Sequence, residues 1–173
     1  MKLLVVAAIA ALHTVLGPDH YLPLAALSQA SRWPIRRTLA LTAIFGAAHV
    51  LSAAALGFAA LAGGSVAARW LGDAARSTAA GNALMAVGVV YAAWALVRRF
   101  RRADEAPPAG WPQRLLFVAF LVGPCEPLIP VLIAAAESGR SPALVATVFG
   151  AVTVATMTIL VGALTAGLAV LPT

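Results

Sequence analysis

The sequence predicts an all-α integral membrane protein of about five transmembrane helices, built as an inverted repeat with a broken first helix in each half. Three observations predict this. The chain of 173 residues is 62% hydrophobic and 10% charged, with mean hydropathy +0.93, which is more apolar surface than a soluble domain of that size can hide. Its apolar runs reach the roughly 20 residues that a helix needs to cross a bilayer. Two short segments inside those runs also read almost alike: Gly17-Pro18-Asp19-His20-Tyr21-Leu22-Pro23 and Gly123-Pro124-Cys125-Glu126-Pro127-Leu128-Ile129-Pro130. Phe45-Gly46-Ala47-Ala48-His49 follows the first copy, and Phe149-Gly150-Ala151-Val152-Thr153 follows the second at a similar interval. Broken apolar helices in corresponding positions of two halves point to the binding site of a transporter.

The expected spans are 3–30, 39–62, 79–97, 115–136 and 144–171. The first is long because Gly17 and Pro18 interrupt it. Met1-Lys2 and the apolar residues 3–12 resemble a signal peptide, but the apolar stretch runs on past any small-residue cleavage site, so a retained helix is expected. Residues 103–113 hold three prolines and two acids and read as a linker between a first half, 1–102, and a second, 114–173. The whole is one transmembrane domain. An odd number of spans in the first half starts the second from the opposite face, giving an inverted repeat without its final helix. Either a second copy in a homo-oligomer supplies that surface or the last segment bends. A single cysteine excludes an intramolecular disulfide framework.

The net charge of +6 reads as orientation and not as nucleic-acid binding. Arg32, Arg36, Arg37, Arg98, Arg99, Arg101, Arg102 and Arg114 fall on one side of the five-helix arrangement. Lys2, Arg69, Arg76 and Arg140 fall on the other, diluted by Asp73 and Glu137. Cytoplasmic connections carry the positive excess, so the N-terminus is expected outside and the C-terminus in the cytoplasm of a bacterial-type inner membrane.

All three histidines, His13, His20 and His49, fall within expected spans, together with Asp19 and Glu126. An ionisable group at mid-membrane costs about 2.5–3.5 kcal/mol on insertion scales, so it marks a functional site by default. The prolines add to the case. Pro18 has no N–H to give the carbonyl of Thr14, and Pro23 none for Asp19. Pro124, Pro127 and Pro130 likewise release the carbonyls of Phe120, Gly123 and Glu126. Such carbonyls persist at this depth only where protein, water or an ion meets them. The half-helix after each break should turn its N–H groups towards Asp19 and Glu126.

Neutral imidazoles suit Zn, Cu, Fe or Ni, and a carboxylate offsets part of the charge. His13 and His20, seven residues apart, would share a face of an unbroken helix, and His49 would close the site from the second span. Cys125 and Glu126 would offer a second, softer position.

The segment from His13 to His20 resembles the His-x4-Asp-His signature of nickel/cobalt transporters and of the related UreH-type and NicO permeases, here with five residues between His13 and Asp19. Gly-Pro-Asp-His and Gly-Pro-Cys-Glu-Pro-Leu-Ile-Pro look most like the UreH-type branch. That branch lies within the larger group containing the LysE exporters and the DsbD/CcdA thiol carriers. The resemblance implies that His13, Asp19 and His20 recognise a metal and that His49 belongs with them. Asp19 stands where the thiol carriers place the first of their paired cysteines, which argues against dithiol chemistry here.

The expected function is therefore secondary transport of a divalent transition-metal cation, Ni2+ or Co2+ by resemblance, with Zn2+ or copper also compatible with the donors. The protein would be a carrier and not an enzyme, and its partners would be the bilayer and the ion. The alternative is an intramembrane zinc hydrolase with Asp19 or Glu126 as base, although a His-Glu-x-x-His motif is missing from the sequence. A third reading, export of a small sulfur-containing anion, leaves the histidines unused.

Overall fold

The computed structural model describes residues 2–70, 111–122, 125 and 127–169. Among them the chain is helical throughout, with no strand. The elements are α1 (Leu3–Leu16), a 3-10 turn (Pro18–His20), α2 (Leu22–Ala30), α3 (Ile35–Trp70), α4 (Trp111–Val122), α5 (Leu128–Glu137) and α6 (Pro142–Ala169). Two helical stretches are long and apolar enough to cross a membrane, Ile35–Gly63 and Pro142–Gly167. A third candidate is the pair Leu3–Leu16 and Pro18–Ala30, bent by 80° at its break. Among the described residues, two or three helical stretches are thus able to span a membrane by length and composition. The expected span 79–97 and most of the linker 103–113 lie outside the described residues.

Proline sets where the helices begin. Pro23, Pro130 and Pro142 each sit in the first turn of a helix, where the missing N–H would have had no intrahelical partner. α4, described from Trp111 onward, includes residues of the stretch expected to be linker. Left-handed residues set two of the ends. After α2, Arg32 takes φ +49°, with Arg32 N–H donating to Gln29 O and Trp33 N–H to Ser28 O. After α5, Gly139 takes φ +68°, with Gly139 N–H donating to Ala136 O and Arg140 N–H to Ala135 O. Both are Schellman caps, which satisfy carbonyls the helix end would otherwise orphan. The order short helix, left-handed cap, long helix thus occurs twice. α6 is one uninterrupted helix, so the bend suggested for the last segment is not found among the described residues.

α3 and α6 pack together along their length. Gly46 lies against Met157 and Val154, Gly150 against Val50, and Gly162 against Leu39, so the two run antiparallel. α1 and α2 follow α6 in its own direction. Ala10 shares an apolar cluster with Phe149, Leu24 shares one with Met157, and Gln29 Nε2 donates to the carbonyl of Thr165 at 3.1 Å. Apolar burial gives little drive between helices in lipid, where close packing of small residues does more. Gly57, abutting Leu132, and Gly150, abutting Val50, supply that closeness. The interior divides into two clusters. One holds Val6, Ala10, Val50, Ala53, Cys125, Leu128, Leu132, Val145 and Phe149. The other holds Leu24, Phe45, Leu116, Phe120, Met157 and Val161.

Candidate metal site at the helix break

The first break is built by Gly17 and Pro18. Gly17 N–H closes α1 on His13 O at 2.9 Å, and His20 N–H returns to Gly17 O at 3.0 Å. The carbonyl of Val15, left without a helical partner, accepts from Tyr21 Oη at 3.3 Å. This tight turn bends the chain by 80°. His13 and His20 meet because of the turn, with ring centroids 4.6 Å apart and the rings edge to face at 82°, and not through a shared face of a straight helix.

His49 arrives from α3. It is the central residue of the 29-residue stretch Ile35–Gly63, about 21 Å of helix from either end. Its ring lies 5.1 Å from that of His20, again edge to face. His49 Nδ1–H donates to the carbonyl of Phe120 at 3.1 Å. That carbonyl belongs to the residue four before Pro124, the position from which no N–H can come. His49 of α3 is therefore tied directly to Phe120 of α4. A carbonyl only accepts, so this bond places a proton on Nδ1 of His49 and fixes the orientation of its ring. His20 is oriented in a similar way, its Nδ1–H shared between Gly17 O at 3.0 Å and Asp19 Oδ1 at 3.3 Å. Metal-ligating histidines are oriented by outer hydrogen bonds of this kind. His20 and His49 are both buried, and Nε2 of His13 and of His20 is buried without a hydrogen-bond partner.

Asp19 stands at the mouth of the site. Its side chain is 55% exposed, with Oδ1 3.3 Å from His20 Nδ1. α2 begins three residues later and no side chain caps its N-terminus. The acid is thus held by His20 and not by the half-helix expected to cradle it. A cavity of about 570 Å3 opens here, lined by Ile9, Leu12, His13, Leu16, Gly17, Asp19, His20 and Pro127. Pro127 comes from the second interruption, so residues of both breaks border one space.

The structure brings His13, Asp19, His20 and His49 into one neighbourhood. Cys125 lies apart from the cavity lining, wholly buried in the apolar cluster with Val6, Ala10 and Leu128. Glu126 lies outside the described residues. Among the described residues, no three or more His, Cys, Asp or Glu side chains already stand in a metal-holding arrangement, and the imidazoles meet edge to face. Thr153, not singled out from the sequence as a site residue, is fully buried with its hydroxyl unpartnered. The signal that could have found it is its place opposite His49 in the repeated Phe-Gly-Ala segments. Comparison with known proteins gave no match: no family model, curated protein or solved structure matches the chain.

Proposed function

We propose that the protein is a secondary transporter of a divalent transition-metal cation, with Ni2+ or Co2+ as the first candidates through the likeness of its His13–His20 segment to the nickel/cobalt and UreH-type permeases. The observation that carries this reading is the meeting of three imidazoles at the middle of a spanning helix, two of them with Nδ1–H held by backbone carbonyls. Nε2 of His13 and of His20, buried without hydrogen-bond partners, are costly in a dry interior, and a cation that takes their lone pairs removes that cost. The edge-to-face rings must turn to converge on an ion, as a site that loads and unloads requires. Asp19, at the cavity mouth, receives the cation and offsets its charge.

The wider arrangement belongs to the same proposal. Five spans form an inverted repeat, the N-terminus is outside and the C-terminus in the cytoplasm, and alternating access comes from one repeat rocking against the other. Protonation of the imidazoles competes with the cation, which would couple transport to protons. The protein acts as a carrier and not as an enzyme. The test is uptake of Ni2+, Co2+ and Zn2+ into proteoliposomes. Wild-type protein should take up at least one of them, and His20→Ala and His49→Ala should each abolish uptake while the helical content stays intact. Uptake unchanged in both variants refutes the reading.

A further inference from the structure

Every fourth residue along one stripe of α6 is buried: Val145, Phe149, Thr153, Met157, Val161 and Thr165. Val145 and Phe149 belong to one apolar cluster, Met157 and Val161 to the other. Thr153 sits at the seam between them. The same seam falls at His49 on α3, between Phe45 of one cluster and Val50 and Ala53 of the other. On the bent pair it falls at Thr14 and His20, between Ala10 and Leu24. One polar layer therefore crosses the fold at the depth of the imidazoles, and each long element contributes to it.

Thr153 is the member of that layer whose oxygen is unspent. Thr14, Thr42, Thr147, Thr158 and Thr165 each return their hydroxyl to the carbonyl four residues earlier, at 2.7–2.9 Å. This is the usual way a threonine hides its hydroxyl in an apolar helix. Thr153 makes no such bond, although none of its surface is exposed. A fully buried hydroxyl without a partner carries its desolvation cost until some group meets it. The sequence repeat points to the same residue from another direction, because Phe149 to Thr153 aligns with Phe45 to His49.

We infer that Thr153 is the substrate-site residue contributed by α6, its hydroxyl oxygen accepting a hydrogen bond from a water that the cation retains when it reaches the imidazoles. This rests on the transporter reading above. A hydroxyl is a weak direct ligand for the borderline metals that imidazole favours. Water bound to a divalent cation is polarised into a strong donor, and a neutral oxygen at layer depth is matched to it. The residue thus sets how much of the hydration shell the site tolerates.

The test is isothermal titration of purified protein in nanodiscs with NiCl2 and, separately, CoCl2, alongside thermal unfolding without metal. Thr153→Val keeps the shape and removes the hydroxyl. Its affinity should fall about tenfold, the scale of one hydrogen bond to a charged group, while its unfolding midpoint stays level or rises because an unpaired buried group is gone. Thr153→Ser restores the oxygen and should bind within about threefold of wild type. If Thr153→Val binds within about twofold of wild type while His20→Ala binds nothing, this inference fails and the transporter reading stands. A lowered midpoint in Thr153→Val with no recovery of affinity in Thr153→Ser also overturns it, as a packing role. Wild-type protein that takes neither cation, nor Zn2+ in the same titration, overturns both.

Discussion

Replacing His49 by leucine removes the donor that meets the Phe120 carbonyl at 3.1 Å. The substitution nearly preserves volume, so its cost is chiefly the stranded carbonyl. An unmade hydrogen bond to a buried group costs about 1–3 kcal/mol in proteins generally. Measured values inside membranes are smaller, averaging about 0.6 and reaching about 1.7 kcal/mol, because the unfolded chain in its micelle also finds partners. The bond joins two helices at mid-span, so about 1 kcal/mol is expected, roughly a fivefold change in the unfolding equilibrium. A double-mutant cycle isolates it. Pro124→Ala supplies an N–H four residues after Phe120, the donor a helical carbonyl there would take. His49→Leu should then cost about 1 kcal/mol less in the Pro124→Ala background than alone. Reversible unfolding in mixed detergent and dodecyl sulfate micelles, followed by circular dichroism, reads all four corners. Additivity within about 0.3–0.5 kcal/mol, the spread of uncoupled sites, would refute the claim that this histidine answers the proline-released carbonyl.

Two further substitutions probe the site and the packing that holds it. A Cβ at position 17 would stand 2.5 Å from His20 Nδ1 and 3.0 Å from Asp19 Oδ1, while the backbone there, at φ −96°, is open to any L-residue. Gly17→Ala should therefore push the His20 ring from its seat, lowering cation affinity about tenfold or more with little loss of helix; titration and circular dichroism together check it, and unchanged affinity would contradict the geometry. Gly57→Ala would bring a Cβ to 2.6 Å from Leu132 Cδ1 and should cost about 1–3 kcal/mol by overpacking. Adding Leu132→Val removes the offending methyl and should recover at least half of that loss in the same unfolding assay.

Much of the architecture was legible in the linear pattern because the bilayer restricts the choices. An apolar run of spanning length has few options besides a helix, so 39–62 and 144–171 anticipated the apolar stretches Ile35–Gly63 of α3 and Pro142–Gly167 of α6 to within a few residues. Gly17-Pro18 announced the first break through the chemistry of a missing N–H, and Pro124 announced that the carbonyl of Phe120 would need an outside donor. The identity of that donor was not legible. His49 lies 71 residues from Phe120, and no local rule joins them; the antiparallel packing of helices at one depth does. Asp19 was expected under the N-terminus of a half-helix, but the 3-10 turn consumes the residues that would have begun one there, and the acid rests on His20. Thr153 was visible as a repeat partner of His49, yet its unspent hydroxyl shows only once the burial around it is known.

Composition and proline placement alone therefore determined that the chain is helical, that it suits a membrane, and where its backbone must fail to close on itself. These follow from local chemistry: hydropathy per residue and donors present or absent at fixed offsets. Only the tertiary structure decided that the interruption after His13 turns by 80°, that His49 reaches across to Phe120 of α4, and that the polar side chains gather in one layer between two apolar clusters. Those outcomes depend on how separate helices pack at a common depth, which spacing along a single chain does not encode.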